Sequence, residues 1–289
     1  MRVKTLTISN FCGKRNYKND FEKFPCLTGD NGSGKTGILA VTHGLLEYMA
    51  TGIPTKLMSL LRKETDHPWY GRTVTWAHVF DRAEIETSDG KKLAVTAIDA
   101  REGKYAVIQD GERSELSDVL TGDLPDTVPF LREDRNSSPG IAFGTLLAMN
   151  SQEFDEERAR RLCKVLLGLD APLRFFEPLP SKFDFRGQGA WFTRLDRWLE
   201  PQSHGEREVM NLSVATAYAK KTHRPVFVDG LDTGIHPLSQ ERLAEAIGEF
   251  EADGVQIIYT TRSPFCFLRD RTFDLDTGKP VKHYIGDKA

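Results

Sequence analysis

Residues 29–36 read GDNGSGKT, and this stretch fits the pattern G-x-x-x-x-G-K-[ST] in full. In such a loop the backbone N–H groups surround the phosphates of a nucleotide, the lysine reaches the β- and γ-oxygens, and the hydroxyl is a ligand of Mg²⁺. Glycine lets the backbone approach an anion closely and adopt a positive φ. The stretch therefore predicts a site for ATP or GTP with Mg²⁺. Its predicted nucleotide-binding residues are Gly29, Asn31, Gly32, Ser33, Gly34, Lys35 and Thr36.

The sequence on either side puts this loop between a strand and a helix. Residues 24–28 form a short, mostly apolar run that suits a buried parallel strand. From Ile38 to Met49, apolar residues recur with helical spacing. Because a helix N-terminus carries unpaired N–H groups and a positive partial charge, it adds to an anion site. This context favours a real nucleotide site over a chance match.

Composition is that of an ordinary globular protein of one or two domains. The chain has 289 residues, of which 39% are hydrophobic and 28% charged, and its net charge of −3 gives no overall attraction to nucleic acid. No C-x-x-C pair occurs among the four cysteines, so we expect reduced thiols. The N-terminus lacks the apolar core of a signal peptide, and no apolar run of about 20 residues is present. We therefore expect a cytoplasmic protein with no membrane contact, for which DNA binding is possible.

The first half of the chain predicts an antiparallel sheet beside the nucleotide-binding strand. A strand is expected at residues 2–9, followed by a polar loop through Lys14, Arg15 and Lys18. Asp-Gly pairs mark hairpin turns between the strand-like runs 73–80, 83–87, 93–98 and 105–109.

The second half predicts a parallel core. Residues 121–140 have loop composition with a possible short strand at 128–131. Helices are predicted at 156–167, 191–199, 206–220 and 238–251, and strands at 226–228, 255–260 and 281–285. Alternating helices and apolar strands indicate an α/β fold with a mainly parallel core sheet flanked by helices.

An apolar strand that ends in Asp229 has the arrangement that places a carboxylate beside the Mg²⁺ of a P-loop site. Further motifs follow the P-loop in order: Ser203-His204-Gly205-Glu206, Asp229 with residues 234–237, and Thr261 with Ser263 and Pro264; Asn10-Phe11 precedes it. With these motifs the chain resembles the ABC-type P-loop ATPases of the RecF, structural-maintenance-of-chromosomes (SMC) and overcoming-lysogenization-defect group. The resemblance covers nearly the whole chain and implies a P-loop NTPase head of the ABC type.

The resemblance implies that two heads enclose two ATP molecules, each between the P-loop of one copy and the signature segment of the other. Ser203 and Gly205 would then contact the partner's nucleotide; the alternative is a plain capping box of Ser203 with Glu206. Gln152 is the candidate for a glutamine that contacts nucleotide and metal, with a surface glutamine as the alternative. Arg15 is a further expected nucleotide contact. The expected metal ligands are Thr36, Asp229 and Gln152.

Two positions depart from the group's pattern. Gly230 stands where members of the group carry a glutamate that polarises water, and Arg262 stands where they carry a histidine. Asp232 and His236 are the candidates to orient water instead, and Arg262 is a candidate cation for the γ-phosphate. Because loss of one catalytic group costs about 10²- to 10⁴-fold in rate, the sequence predicts weak or unconventional hydrolysis.

We expect a single head over residues 1–289 with three lobes, at 1–150, 151–202 and 203–289. By analogy, a head of this kind dimerises around ATP and regulates an effector protein from another gene, in DNA repair or anti-phage defence. The alternatives are a non-hydrolysing regulatory or scaffold subunit and, less favoured by the motifs, the nucleotide-binding subunit of a membrane transporter or a small-molecule kinase.

Overall fold

The computed structural model describes residues 1–11, 14–67, 71–76, 80–99, 104–116, 128–131, 183–186, 189–192, 197–198, 212, 215–216, 219–220 and 222–282. Its strands are β1 (Val3–Phe11), β2 (Lys14–Asp20), β3 (Cys26–Thr28), β4 (Arg62–His67), β5 (Gly71–Trp76), β6 (Arg82–Thr87), β7 (Lys92–Asp99), β8 (Lys104–Gln109), β9 (Glu112–Glu115), β10 (Phe130–Leu131), β11 (Phe183–Arg186), β12 (Gly189–Phe192), β13 (Arg197–Trp198), β14 (Val226–Val228), β15 (Ile257–Thr260), β16 (Thr272–Asp274) and β17 (Lys279–Pro280). Its helices are α1 (Lys35–Thr51), α2 (Thr55–Leu61) and α3 (Pro237–Ala252).

The predicted parallel core is confirmed. Its strand order is β10-β14-β15-β3-β16-β17, and every pair except the last is parallel. Strands β14 and β15 are buried throughout and mostly apolar, as expected for a sheet covered on both faces. The carboxyl ends of β3, β14 and β15 therefore meet at one edge of this sheet.

The predicted antiparallel sheet is also confirmed, with strand order β2-β1-β6-β7-β8-β9. Turn residues Gly90 and Gly111 have φ of 85° and 94°, so the Asp-Gly pairs do form the hairpin turns. Inward-facing residues of this sheet share one buried cluster with residues of α1 and of the parallel sheet. The α/β class predicted from the sequence is thus correct.

Helix α1 connects the two sheets, since it contacts β6 on one side and β14 and β15 on the other. It is capped by Gly52, whose left-handed backbone lets its N–H bond to the carbonyl of Tyr48 at 2.7 Å. At its first turn Gly37 lies under the ring of Phe11, where a Cβ would come within 2.6 Å of Cζ. A glycine is needed there for β1 to pack this closely on the helix.

A buried polar contact joins α1 to the segment before β10. The ring of His43 lies 2.9 Å from the carbonyl of Val128, and Glu47 accepts the N–H of the same residue. Both side chains are almost fully buried. Because they bond both backbone groups of Val128, they fix the entry of β10 into the parallel sheet.

The polar loop predicted through Lys14, Arg15 and Lys18 is wrong, because residues 14–20 form β2 at the edge of the antiparallel sheet. Along this strand Tyr17 and Asn19 are buried while Lys18 is exposed. The alternation of a strand is present, but a buried asparagine hides it from a hydrophobicity pattern.

The helix predicted at 191–199 is also wrong, since residues 189–192 and 197–198 form β12 and β13. Tryptophan and phenylalanine favour strands, and this preference outweighs the helix-like spacing. The last described strand lies at Lys279–Pro280; of the strand predicted at 281–285, residues 281–282 are not in a strand and 283–285 lie outside the described residues. The helix predicted at 156–167 also lies outside them.

The helix predicted at 206–220 is seen only in part, with Leu212, Ala215, Thr216 and Ala219 helical and buried. Strand β14 matches its prediction residue for residue, and α3 and β15 agree within two residues at each end. Elements α2, β4, β9 and β16 were not predicted.

Candidate nucleotide-binding site

A cleft of about 430 Å³ opens at the carboxyl ends of β3, β14 and β15. Ligands of open parallel sheets bind at this edge, because the loops that leave neighbouring strands converge there. The fold thereby joins three stretches that are far apart in sequence. The cleft is lined by Asn31, Gly32, Gly34, Lys35, Thr36, Gly37, Asp229, Gly230, Thr260, Thr261 and Arg262.

The loop between β3 and α1 has the backbone of a phosphate cradle. Gly29, Gly32 and Gly34 have φ of 141°, 83° and 97°, values that residues with a side chain rarely adopt. No side chain caps the start of α1 in the described part of the chain, so its first N–H groups face the cleft region without a side-chain acceptor. An anion at this point gains both these donors and the positive end of the helix dipole.

The ammonium of Lys35 lies over this loop. It donates to the carbonyl of Gly29 at 2.6 Å and to that of Asp30 at 2.8 Å. Burial, followed by the nearby charge of Arg262, lowers the pKa of Lys35 from its ordinary value, while Asp276, Asp229 and Asp30 act in the opposite direction. Two cations therefore face one cleft, an arrangement that a bound anion stabilises.

The loop is also held from outside the cleft, by the turn after β16. A carboxylate oxygen of Asp276 accepts the N–H of Asp30 at 2.5 Å. The same oxygen lies 2.8 Å from where a Cβ on Gly29 would be. This turn therefore fixes the first half of the loop, a role for which the local sequence gives no signal.

The carboxylate of Asp229 is fixed at the end of β14. Thr260, the last residue of β15, donates its hydroxyl to Asp229 Oδ1 at 2.7 Å and accepts the N–H of Gly230 at 2.8 Å. The hydroxyl of Thr36 lines the same cleft. Both oxygens are of the type that Mg²⁺ prefers. No group of three or more His, Cys, Asp or Glu among the described residues could hold a metal, so a Mg²⁺ here needs phosphate oxygens as well.

Arg262 lies opposite the P-loop. Its Nη1 is 3.5 Å from Oδ1 of Asn31, and its backbone N–H donates to Oδ1 of Asp232 at 3.0 Å. The same carboxylate oxygen accepts the hydroxyl of Thr261 at 2.8 Å. Asp232 thus bonds to the loop after β15, while Arg262 itself reaches the cleft.

Gly230 has φ of 70°, in the left-handed region that favours glycine. His236 is exposed at the start of α3, where its carbonyl accepts the N–H of Ser239 at 2.8 Å. It is not among the described residues that line the cleft. The geometry brings Arg262 to the P-loop and leaves His236 at the helix start.

Other predicted site residues cannot be placed in this cleft. Gln152, Ser203 and Gly205 lie outside the described residues, and Arg15 lies in β2 with a side chain that is not described. Sequence reasoning missed Thr260 and Gln240, a buried residue in the first turn of α3. A polar residue at the end of an otherwise apolar strand is the one signal that could have identified Thr260.

Comparisons with known proteins agree with this fold. A family model described as "AAA domain, putative AbiEii toxin, Type IV TA system" matches residues 106–267, more than half of the chain. A search of curated proteins found no match.

Several solved structures have a similar fold. An SMC head domain from Thermotoga maritima aligns with a TM-score of 0.51 at 17% identity, over 92% of this chain and 91% of that one. An SMC head bound to the C-terminal winged-helix domain of ScpA gives 0.57 at 14%, over 99% and 98%. An SMC head with an extended coiled coil, bound to the C-terminal domain of ScpA from Pyrococcus furiosus, gives 0.51 at 15%, over 92% and 90%.

Proposed function

The chain belongs to the AAA-domain family that is described as putative AbiEii toxin, Type IV TA system, and on this premise we propose that it is an ATP-binding head that dimerises around ATP and Mg²⁺ and regulates a partner effector. The cleft carries the proposal, because it joins the P-loop, Asp229 and Arg262 at one edge of a parallel sheet. We also propose that residues 1–289 form one head with the three lobes given above.

The residues of the cleft fit a nucleotide with its metal. Glycine backbone, Lys35 and the start of α1 suit the phosphates, and the oxygens of Thr36 and Asp229 suit Mg²⁺. Bound ATP·Mg²⁺ would supply a transferable γ-phosphoryl group and a metal charge that offsets developing negative charge. The protein's part is to bind and orient the phosphates, with Lys35 and Arg262 as the cations.

Lys35→Ala tests nucleotide binding directly. Removing a charged partner of a desolvated phosphate costs about 2–5 kcal/mol, so we expect affinity for a fluorescent ATP analogue to fall by about 30-fold or more. Lys91→Ala, in an exposed turn of the antiparallel sheet, is the matched control and should bind as the wild type does. Equal affinity in all three proteins would remove the proposed site.

Dimerisation follows from the resemblance to SMC heads. Ser203 and Gly205 of a second copy would complete the site, and Gln152 and Arg15 would add contacts to the nucleotide. Mass in solution, measured with and without ATP·Mg²⁺, tests this. A monomer under both conditions contradicts the two-headed arrangement, whereas a dimer with ATP that Lys35→Ala abolishes supports it.

The partner and the pathway are proposed from the comparisons. Two of the similar SMC heads are bound to domains of ScpA, and the family description refers to a toxin–antitoxin system. Both support an effector protein from another gene, in anti-phage defence or DNA repair. Within the described residues, no helix is long and apolar enough to cross a membrane. Phage challenge of cells with the wild type or Lys35→Ala tests the defence role.

A second candidate is a regulatory subunit that binds ATP without turnover. Gly230 favours it, since it lacks a carboxylate where the resemblance predicts glutamate and has φ of 70°. Multiple-turnover hydrolysis separates the candidates: wild-type turnover that Lys35→Ala abolishes excludes this one. Gly230→Glu adds the carboxylate but strains the backbone by about 1–2 kcal/mol, so Gly230→Ala, which shares the strain alone, is its control.

A further inference from the structure

We propose that Asp232 and Gln240 are positioning residues that hold Arg262 beside the P-loop, so that the cleft distinguishes a nucleoside triphosphate from a diphosphate. The proposal rests on the proposed function, since it assumes that nucleotide phosphates occupy the cleft. Asp232 then positions Arg262 and does not orient water, and Gln240 acts from helix α3, outside the cleft.

Asp232 fixes the backbone of Arg262 by a direct hydrogen bond. One carboxylate oxygen, Oδ1, accepts both the Thr261 hydroxyl at 2.8 Å and the Arg262 N–H at 3.0 Å. Hydrogen bonds to an ionised acceptor are about twice as strong as neutral ones. This oxygen is therefore committed to the loop after β15.

Gln240, in the first turn of α3, joins the two loops that flank the cleft. Its side chain is buried, with 6% of the residue exposed. The amide nitrogen donates to the carbonyls of Asp232 at 3.2 Å and Ile235 at 2.7 Å, in the loop after β14. The amide oxygen accepts the hydroxyl of Ser263 at 2.5 Å, in the loop after β15. One helix residue thereby sets both loops in a fixed relation.

The hydrogen bonds of Asp232 and Gln240 fix the loop that carries Arg262, whose side chain lines the cleft. Its guanidinium is 3.5 Å from Asn31, a residue of the P-loop, and the ammonium of Lys35 covers the other side of that loop. A triphosphate extends one phosphoryl group further than a diphosphate and carries more negative charge. Because the backbone of Arg262 is already fixed, its side chain has less freedom to lose when it binds the added phosphoryl group, and more of the charge-assisted hydrogen bond contributes to affinity.

Paired affinities for ATP and ADP, each with Mg²⁺ and the full chain, test this proposal. Gln240→Met keeps the side-chain volume and removes all three hydrogen bonds. We expect it to lower ATP affinity about 10-fold or more, the size of a hydrogen bond to a charged group, and to change ADP affinity less than about threefold. The wild-type preference for ATP should be lost.

Gln256→Met is the matched control. Gln256 is also buried and also bridges two segments, since its amide bonds to both the N–H and the carbonyl of Val3 at 2.8 and 2.7 Å. It lies at the amino end of β15, away from the cleft. A general loss of stability would affect both variants alike, whereas the proposal requires the ATP-to-ADP ratio to change only in Gln240→Met. A change of ratio in both variants overturns it.

Asp232→Asn and Asp232→Ala separate positioning from a role of the charge. Asparagine keeps an oxygen that can accept from Thr261 and Arg262, so it should retain most of the preference for ATP, and alanine should lose it. Equal loss in both overturns the positioning role. In Arg262→Ala the preference should be absent and Gln240→Met should have no further effect on the ratio.

The wild type itself distinguishes the two proposals. Binding of neither nucleotide removes the proposed function together with this inference. Equal affinity for ATP and ADP overturns the inference alone and leaves nucleotide binding in place. If Gln240→Met does not fold, the Asp232 pair and Arg262→Ala give the same decision.

Discussion

The two ends of the parallel sheet are each bridged by a buried glutamine, yet they differ in what the bridge does. At the amino end, Gln256 bonds to both backbone groups of Val3 and joins β15 to β1, where Val3 is fully buried. At the carboxyl end, Gln240 bonds to the loops after β14 and β15, and the second of these carries Arg262 into the cleft. One bridge closes the core, and the other braces an open cleft.

The comparison teaches that burial alone does not indicate a functional residue. Both glutamines satisfy backbone or hydroxyl groups that would otherwise be unpaired, so both stabilise the fold. The bridge at the carboxyl end joins loops that line a cleft, because loops leaving parallel strands converge there, whereas the bridge at the amino end joins β15 to a buried strand residue. Substitution at the amino end should therefore alter stability alone, and substitution at the carboxyl end should alter binding as well.

The largest effect is expected from Gln256→Met at the amino end. It leaves two buried backbone groups of Val3 without partners, which costs about 2–5 kcal/mol in the free energy of unfolding. Urea denaturation measures this loss, and affinity for ATP at a temperature where the variant is folded should be unchanged. Gln109→Met, on a half-buried strand position, is the control and should change stability by about 0.5 kcal/mol or less. A large fall in the ATP affinity of Gln256→Met would contradict the difference proposed between the two ends of the sheet.

Gly37→Ala should destabilise the protein, because the added methyl group meets the ring of Phe11. The new Cβ would lie 2.6 Å from Cζ of Phe11, so we expect a loss of about 1–3 kcal/mol by denaturation. Gly248→Ala in α3 is the matched control, because nothing lies within 4 Å of its added Cβ. It should stabilise the protein by about 0.5–1 kcal/mol through helix propensity. The two Gly→Ala substitutions should therefore change the free energy of unfolding in opposite directions. A change in the same direction would contradict the close contact of β1 with α1.

Asp276→Ala tests whether the P-loop is ordered from outside the cleft. The variant loses the acceptor for the N–H of Asp30, and we expect ATP affinity to fall about 3- to 10-fold. Asp276→Asn keeps an acceptor and removes a negative charge near the phosphates, so its affinity should equal or exceed that of the wild type. Asp270→Asn, in the exposed turn before β16 and so at the other end of that strand, is the control. Weaker binding by Asp276→Asn than by Asp276→Ala would exclude the ordering role.

The last prediction concerns two buried thiols and a labelling rate, with no expected change in nucleotide binding. Burial raises the pKa of Cys26, at the amino end of β3, to about 11 and that of Cys266, just after β15, to about 12. Since thiolate is the reactive form, alkylation of both at pH 8 should be at least about 100-fold slower in the folded than in the denatured protein. Peptide mass spectrometry resolves the two sites. Fast labelling of Cys266 alone would show that the carboxyl end of the parallel sheet is more accessible to solvent than the structure implies.

The same thiols set a direction for stability against pH. Their contribution is complete below the ordinary thiol pKa, where both states are protonated. As the pH rises toward about 11, the unfolded chain ionises them and the folded chain does not, so the free energy of unfolding falls. Denaturation curves at pH 8 and pH 10 for the wild type and Cys26→Ala measure the difference, and the wild type should lose more between the two pH values.

Local patterns predicted the parts of the site that local chemistry specifies. The P-loop and strand β14 with its terminal Asp229 follow from residue types at fixed spacing, and the structure brings them together. Edge strand β2 was missed because its buried face includes Asn19, and an alternation pattern does not show the hydrogen-bond partner that a buried polar residue needs, here the carbonyl of Phe24. Gln240 and Asp276 were missed because each bonds to a separate loop, at Ser263 and at Asp30, which only the folded chain brings near.

At Gly230, mutation is easier in one direction than in the other. A glutamate that mutates to glycine frees the backbone to turn to φ of 70°, and the loop can then settle into the bonds seen between Gly230, Thr260 and Asp229. The reverse mutation meets that turned backbone and costs about 1–2 kcal/mol. Over evolutionary time the turned loop therefore retains glycine, and a lineage in which glutamate appears here needs a second, compensating change in this loop.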